Sequence, residues 1–222
     1  MCGVVGVSLN NPTKEDIITI KRVFLETEIR GKHASGIAWV DKYIVKCIKE
    51  PVPISELLSS FDLNETISDN KIQLIGHIRY STSDVEYNQP IGTDNSYIVH
   101  NGVITQEDAS KWESHFGFKC ATKNDSELLY HCIKNGEDYL SKFPGCSVSA
   151  LYIDTTGIKF FRNSLRPQWI GFIEDRGYII SSTKNILLRA GIRNIVRVEP
   201  DDSKELINRN MNESYRRLQT IL

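Results

Sequence analysis

Short apolar runs separated by brief turns constrain this chain more than any other feature of its sequence. In the second half, residues 146–153, 158–162, 168–173 and 178–182 are such runs. Thr155-Thr156-Gly157 and Asp175-Arg176-Gly177 lie between them at hairpin spacing. The first half adds residues 3–9, which contain three valines, a hairpin of 35–40 with 43–48 around Asp41-Lys42, and strands at 72–79 and 96–100. Helical periodicity is confined to a few segments. Thr13 caps a stripe through Ile17, Ile20, Phe24 and Leu25 that Gly31 ends. Further helices are predicted near 55–60, at 106–116, at 124–135 with Asn124 and Glu127 spaced as a capping box and Gly136 as the stop, and at 183–190. A short strand at 194–199 and a terminal helix from Ser203 complete the reading. Neighbouring strands joined by tight turns pair antiparallel. The expectation is therefore an α+β fold, with helices covering antiparallel sheets.

No linker or repeat divides the 222 residues, so 1–222 reads as a single domain with 203–222 as a C-terminal tail or helix. Twenty-seven Lys and Arg against 28 Asp and Glu give a net charge of −1, without the basic excess of a generic nucleic-acid or membrane-surface binder. The near-balance conceals two opposed segments: residues 82–138 carry −6 and residues 158–197 carry +6. Charge runs usually face water. The basic one is also a candidate surface for an anionic substrate or a docking partner, through Arg166, Arg189 and Arg193. There is no signal-peptide pattern at the start and no apolar stretch of membrane-spanning length, so a cytoplasmic protein is expected. The five cysteines, Cys2, Cys47, Cys120, Cys132 and Cys146, are odd in number and widely spaced. They suggest reduced thiols, with neither a disulfide framework nor a CxxC metal pair.

Five polar, glycine-marked segments stand where strands and turns end, the usual place for site residues. They are Cys2-Gly3, Arg30-Gly31-Lys32-His33-Ala34-Ser35-Gly36, Gly76-His77-Ile78-Arg79-Tyr80-Ser81-Thr82, His100-Asn101-Gly102 and Asn124-Asp125-Ser126-Glu127. Each has a plain structural explanation alone: Arg30-Gly31 as a helix stop, Asn101-Gly102 as a hairpin turn, Asn124-Asp125 as a cap, His77 and His100 as satisfied core histidines.

Together with Gln89-Pro90, their order and spacing resemble the class II, or N-terminal-nucleophile (Ntn), glutamine amidotransferases, most nearly the glutaminase domain of amidophosphoribosyltransferase. The resemblance runs from Cys2 to about Leu187. It implies the four-layer αββα sandwich of the Ntn hydrolases. It also implies release of ammonia from the side-chain amide of L-glutamine, with no cofactor and no metal. By the same resemblance Cys2 is the nucleophile. The Asn101 amide and the Gly102 N–H form the oxyanion hole. Arg79 grips the glutamine α-carboxylate with Thr82 helping, and Asp125 holds the α-ammonium. His100 joins the substrate-binding set, and Arg30, with Gly31 in its turn, lies near Cys2.

These residue types suit that chemistry on their own terms. A thiol is intrinsically nucleophilic but needs a base at neutral pH. An α-amine on Cys2, exposed by removal of Met1, has a reference pKa of about 7.7–8.0 and could be that base. Paired Arg79 and Asp125 would select a zwitterionic amino acid over a bare amide. The chain departs from the family pattern at His33, where Asp is usual, at Ser181-Ser182-Thr183, where Ala-Ser-Glu is usual, and in the shortened segment Arg162 to Pro167. With about 35 residues beyond the glutaminase region, the expected partner is a separate synthase or acceptor subunit; oligomeric state is left open. Two other readings are a degenerate glutamine-binding regulatory module and an Ntn hydrolase for another amide. The complete set Cys2, Arg79, Asn101, Gly102 and Asp125 argues against the first. The Arg79–Asp125 pair argues against the second.

Overall fold

The computed structural model describes residues 1–80, 88–93 and 95–201. Thr82 and the predicted tail helix lie outside them. In chain order the elements are β1 (Gly3–Asn10), α1 (Lys14–Thr27), β2 (Ala34–Asp41), β3 (Ile44–Glu50), α2 (Ile54–Ser60), β4 (Ile67–Ser68) and β5 (Lys71–Arg79). They continue with β6 (Ile91–Thr93), β7 (Ser96–Val103), α3 (Trp112–Phe116), α4 (Ser126–Lys134), α5 (Tyr139–Lys142), β8 (Ser147–Asp154) and β9 (Gly157–Arg162). Last come β10 (Trp169–Ile173), β11 (Gly177–Ser181), α6 (Lys184–Arg189) and β12 (Ile195–Arg197).

The strands form two antiparallel sheets. One runs β12-β10-β11-β1-β5-β2-β3, with β4 beside β5; the other runs β6-β7-β8-β9. The central position of β1, paired with β5 and β11, explains its apolar run from Gly3 to Val7, because both of its faces are buried there. Val5, Val7 and Leu9 join α1, α2 and α6 in one core. Val4 points the other way, into a cluster with Ile75 and Ile180 of its own sheet and Val99, Leu151 and Ile153 of the second sheet. The opposite face of the second sheet, through Ile98, Val148 and Ala150, packs with Trp112, Leu128, Leu129 and Tyr139 from the helices that cover it. The α+β reading is therefore observed, with apolar residues alternating between two faces along each strand.

Local chemistry sets the helix ends. Thr13 caps α1 as expected. Its Oγ1 accepts from Asp16 N at 3.3 Å, while Asp16 Oδ2 accepts from Thr13 N at 2.7 Å. Phe24 on α1 is fully buried, which stabilises by about 1.5–3 kcal/mol. Two expectations are corrected. Residues 106–116 form only one short turn followed by α3, because Asp108 Oδ1 accepts from Ser110 N and Trp112 Nε1 donates to Glu107 O, which holds 106–108 out of a helix. The spacing of Asn124 and Glu127 does not close a capping box. Glu127 instead reaches back to the N–H groups of Ala121 and Thr122, both at 2.7 Å, and α4 begins at Ser126. No helix among the described residues is long and apolar enough to cross a membrane.

Candidate active site

The candidate residues converge because antiparallel pairing brings particular strand ends together. Gly3 at the start of β1 lies opposite Ile78 at the end of β5, and Ala34 at the start of β2 lies opposite Arg79. Residues 75, 77 and 79 of β5 share the face turned toward the second sheet, and Val99 and Asn101 of β7 share the face turned toward the first. A cleft of about 670 Å³ opens at this end of the molecule. Cys2, His77, Arg79, His100, Asn101, Gly102, Asp125 and Arg166 are among the residues that line it.

Cys2 Sγ points toward Tyr80 O at 3.8 Å, and Met1 lies beside it in the cleft. Arg30 approaches from behind: its Nε donates to Cys2 O at 2.7 Å, fixing the backbone that carries the thiol. Burial holds the Arg30 guanidinium below its ordinary pKa; the nearby Cys2 opposes this and Arg166 adds to it. Gly31 follows because there is no room for a side chain. A Cβ there would sit 2.3 Å from the Arg79 carbonyl. His33 N donates to Arg79 O at 3.1 Å, so this turn clamps the end of β5. The His33 ring lies 5.2 Å from that of Tyr80, at the position where the sequence departs from the family's Asp.

Asn101 and Gly102 are not a hairpin turn; they lie within β7. The Asn101 side chain is buried, and its Nδ2 has no hydrogen-bond partner among the described residues. A buried donor of this kind costs stability unless a bound group satisfies it. Gly102 has φ +155°, and a Cβ on it would meet Ser147 O at 1.7 Å, so only glycine fits. Asp125 stands at the start of α4, and its Oδ2 accepts from Ile104 N at 2.6 Å. That contact fixes the carboxylate at the cleft wall. Arg79 is buried in the same cleft, 8% exposed.

His100 is built into a network. Its backbone N–H donates to Gln89 Oε1 at 2.6 Å, and Gln89 Nε2 donates to Ser126 Oγ at 3.0 Å. The ring bridges Ser126 Oγ through Nδ1 at 3.0 Å and Ser147 O through Nε2 at 3.1 Å. A carbonyl can only accept, so the bond to Ser147 requires the proton on Nε2. Nδ1 then accepts from the Ser126 hydroxyl, and the imidazole is neutral. Burial lowers its pKa, against a raising influence from Asp125. His100 thereby ties β7 to α4 and sets Asn101 relative to Asp125.

Two lining residues were not placed in the site by the sequence. His77 is buried with neither ring nitrogen in a well-formed hydrogen bond among the described residues, the His100 backbone giving only a weak contact. Burial, with Arg79 nearby, pushes its pKa down to about 3. The Gly-His-x-Arg pattern and the period of two along β5 were the signal for it. Arg166, expected on a docking surface, lines the cleft with its Nε donating to Ser147 Oγ at 3.2 Å. The basic segment does not gather on one face. Arg193 lines a separate groove beside α1, Arg189 pairs with Glu26, and Arg162 is buried.

No family model matches the chain. Amidophosphoribosyltransferase of Haemophilus influenzae is 30% identical over 152 residues, which are 63% of this chain and 28% of that protein. Glutamine–fructose-6-phosphate aminotransferase (isomerizing) of Staphylococcus aureus is 30% identical over 139 residues, 60% of this chain and 22% of that one. The fold agrees with glutamine phosphoribosylpyrophosphate amidotransferase of B. subtilis at a TM-score of 0.69 and 23% identity, over 90% of this chain and 46% of that one. The chain is related to the class II glutamine amidotransferases. A class-II glutamine aminotransferase domain protein of Silicibacter pomeroyi matches along nearly its whole length, with 90% of this chain and 92% of that chain covered at a TM-score of 0.52. The chain thus spans less than a third of the curated relatives it matches, and nearly all of the solved domain protein.

Proposed function

We propose that this chain is a single glutaminase domain with the αββα layering of the Ntn hydrolases. In this reading it hydrolyses the side-chain amide of L-glutamine and passes ammonia to an acceptor on a separate synthase chain. The observation that carries the reading is one cleft shared by a thiol, an orphaned buried amide donor and a cation–anion pair: Cys2, Asn101 Nδ2, Arg79 and Asp125. The layering is supported by three apolar clusters, one between the sheets and one under each helical face.

In the reaction Cys2 Sγ bonds to the glutamine Cδ and its thiol proton leaves with the amide nitrogen as ammonia. Water then adds to the γ-glutamyl thioester, giving glutamate and returning the proton to sulfur. Removal of Met1 makes the Cys2 nitrogen a free amine near the thiol, able to shuttle that proton near neutral pH. Asn101 Nδ2 and the Gly102 N–H would receive the oxyanion in both tetrahedral intermediates; one such donor contributes about 10²–10³ in rate. Arg79 suits a carboxylate by its fork of donors, Asp125 suits an ammonium, and Arg30 orders the Cys2 backbone. Thr82 is proposed to assist Arg79, and His100 to hold the binding wall together.

The test is mass spectrometry of the amino terminus coupled to an assay of glutamate release, with Cys2→Ala as control. The reading expects turnover from chains that begin at Cys2, none from Cys2→Ala, and covalent labelling of Cys2 by 6-diazo-5-oxo-norleucine. A mature Cys2 terminus with neither turnover nor labelling, with candidate acceptor proteins added, overturns it in favour of a binding module.

A further inference from the structure

Outside the residues that line the cleft, on α4 and the loop before it, three metal-ligating side chains meet. Cys120 Sγ, a Glu127 carboxylate oxygen and a His131 ring nitrogen all lie within 4.8 Å of one another. Glu127 and His131 are one helical turn apart on α4, and Cys120 comes from the loop that folds back over the helix start. His131 Nε2 is a buried atom with no hydrogen-bond partner among the described residues, and it stands 3.7 Å from Glu127 Oε1. Ligand atoms around a tetrahedral zinc ion are about 3.3–3.7 Å apart, given metal–ligand bonds of about 2.0–2.3 Å. The His131–Glu127 separation of 3.7 Å already meets that geometry, and the separations to Cys120, within 4.8 Å, need a contraction of up to about 1 Å.

We propose that Cys120, Glu127 and His131 form a binding site for a borderline divalent cation of the zinc type, separate from the glutamine cleft.

The supporting groups are already in place. Glu127 Oε1 accepts from Ala121 N at 2.7 Å, and Oε2 accepts from Thr122 N at 2.7 Å and Thr122 Oγ1 at 2.6 Å. Each oxygen has two lone pairs, so Oε1 keeps one for a metal while its hydrogen bond fixes the carboxylate. The His131 ring is stacked on Phe118 with centroids 5.7 Å apart, which sets its plane. Thiolate, imidazole and carboxylate together favour zinc or cobalt over magnesium or calcium, which prefer oxygen alone. Three protein ligands leave a fourth position for water. Binding would clip residues 120–127 to α4 and so steady the wall that carries Asp125. The set was invisible as a motif, because its members are separated by six and three residues and no CxxC pair is present.

The simpler arrangement of the same residues is a direct Glu127–His131 contact with a bystander thiol. Cobalt(II) distinguishes the two. It is titrated into the full-length chain carrying Cys2→Ser, so that the cleft thiol does not report. One equivalent should bind with the near-ultraviolet thiolate-to-cobalt band and the strong visible bands of a tetrahedral site. About one proton should be released as the thiol ionises. Zinc should displace the cobalt. Cys120→Ser should abolish the thiolate band, and His131→Gln should weaken binding by more than about 10-fold. No band in the folded Cys2→Ser protein overturns the proposal without recourse to further variants. So does a band that survives Cys120→Ser unchanged, or cobalt affinity that His131→Gln leaves untouched.

Discussion

Replacing His77 by Asn should flatten the dependence of folding stability on pH in mildly acidic solution. An exposed histidine has a pKa near 6.5, and in the folded protein burial holds His77 at about 3. Above pH 6.5 both states are neutral there, and the group adds no pH dependence. Below 6.5 the unfolded chain binds a proton that the folded chain refuses, so stability falls with pH until the folded value near 3 is reached. From pH 7.5 to 5.5 the expected loss is about 1.4 kcal/mol, the free energy of protonating one unfolded imidazole one unit below its pKa. His100, also depressed, should act in the same direction. Carboxylates titrate mainly below this window. The assay is urea unfolding of the full-length protein at pH 7.5, 6.5 and 5.5, before and after the substitution. Only the slopes are compared, so a constant loss from imperfect packing of Asn does not matter. A wild-type slope retained in His77→Asn would show that the buried imidazole accepts a proton in the folded state, refuting the reasoning.

Asn101→Ala should lower kcat by about 10²–10³ with little change in KM for glutamine, because the donor is proposed to act on the oxyanion; an unchanged kcat would remove it from that role. Gly102→Ala should destabilise by roughly 2–6 kcal/mol, from about 1–3 for a non-glycine residue at φ +155° and about 1–3 for the collision with Ser147 O, seen as a large fall in the thermal midpoint. Ser126→Ala should cost about 2–4 kcal/mol in denaturant unfolding, since it leaves both His100 Nδ1 and Gln89 Nε2 buried with one fewer partner.

Much of the fold was legible because burial leaves a direct mark on sequence. The run at β1 is apolar from Gly3 to Val7 since it has sheet neighbours on both edges and cores on both faces. Turn residues such as Lys42 at φ 57° and Asp175 at φ 55° stand where hairpins were expected. The readings that failed were those where a side chain found a different partner a few residues away. Glu127 was spaced to cap its own helix but is drawn to the amides of Ala121 and Thr122 in a loop that crosses it. The stretch before α3 carries helical periodicity, yet Asp108 and the Trp112 indole satisfy local backbone groups in another way. Charge runs misled for a related reason: adjacency along the chain put Arg166 and Arg193 in one segment, while folding set them in different grooves.

The sequence by itself determined the strand and hairpin pattern, because periodicity is a local property, and it singled out Cys2, Arg79, Asn101, Gly102 and Asp125 through an order and spacing of motifs that resemble a known family. Only the tertiary structure decided which of them share a cleft and which atoms are left unsatisfied within it. It set Arg30 on the Cys2 backbone, fixed the tautomer of His100, buried His77 beside them, and brought Cys120 to Glu127 and His131. Those outcomes depend on strand register and on the competition among all donors for each acceptor, and neither is written in any one stretch of the chain.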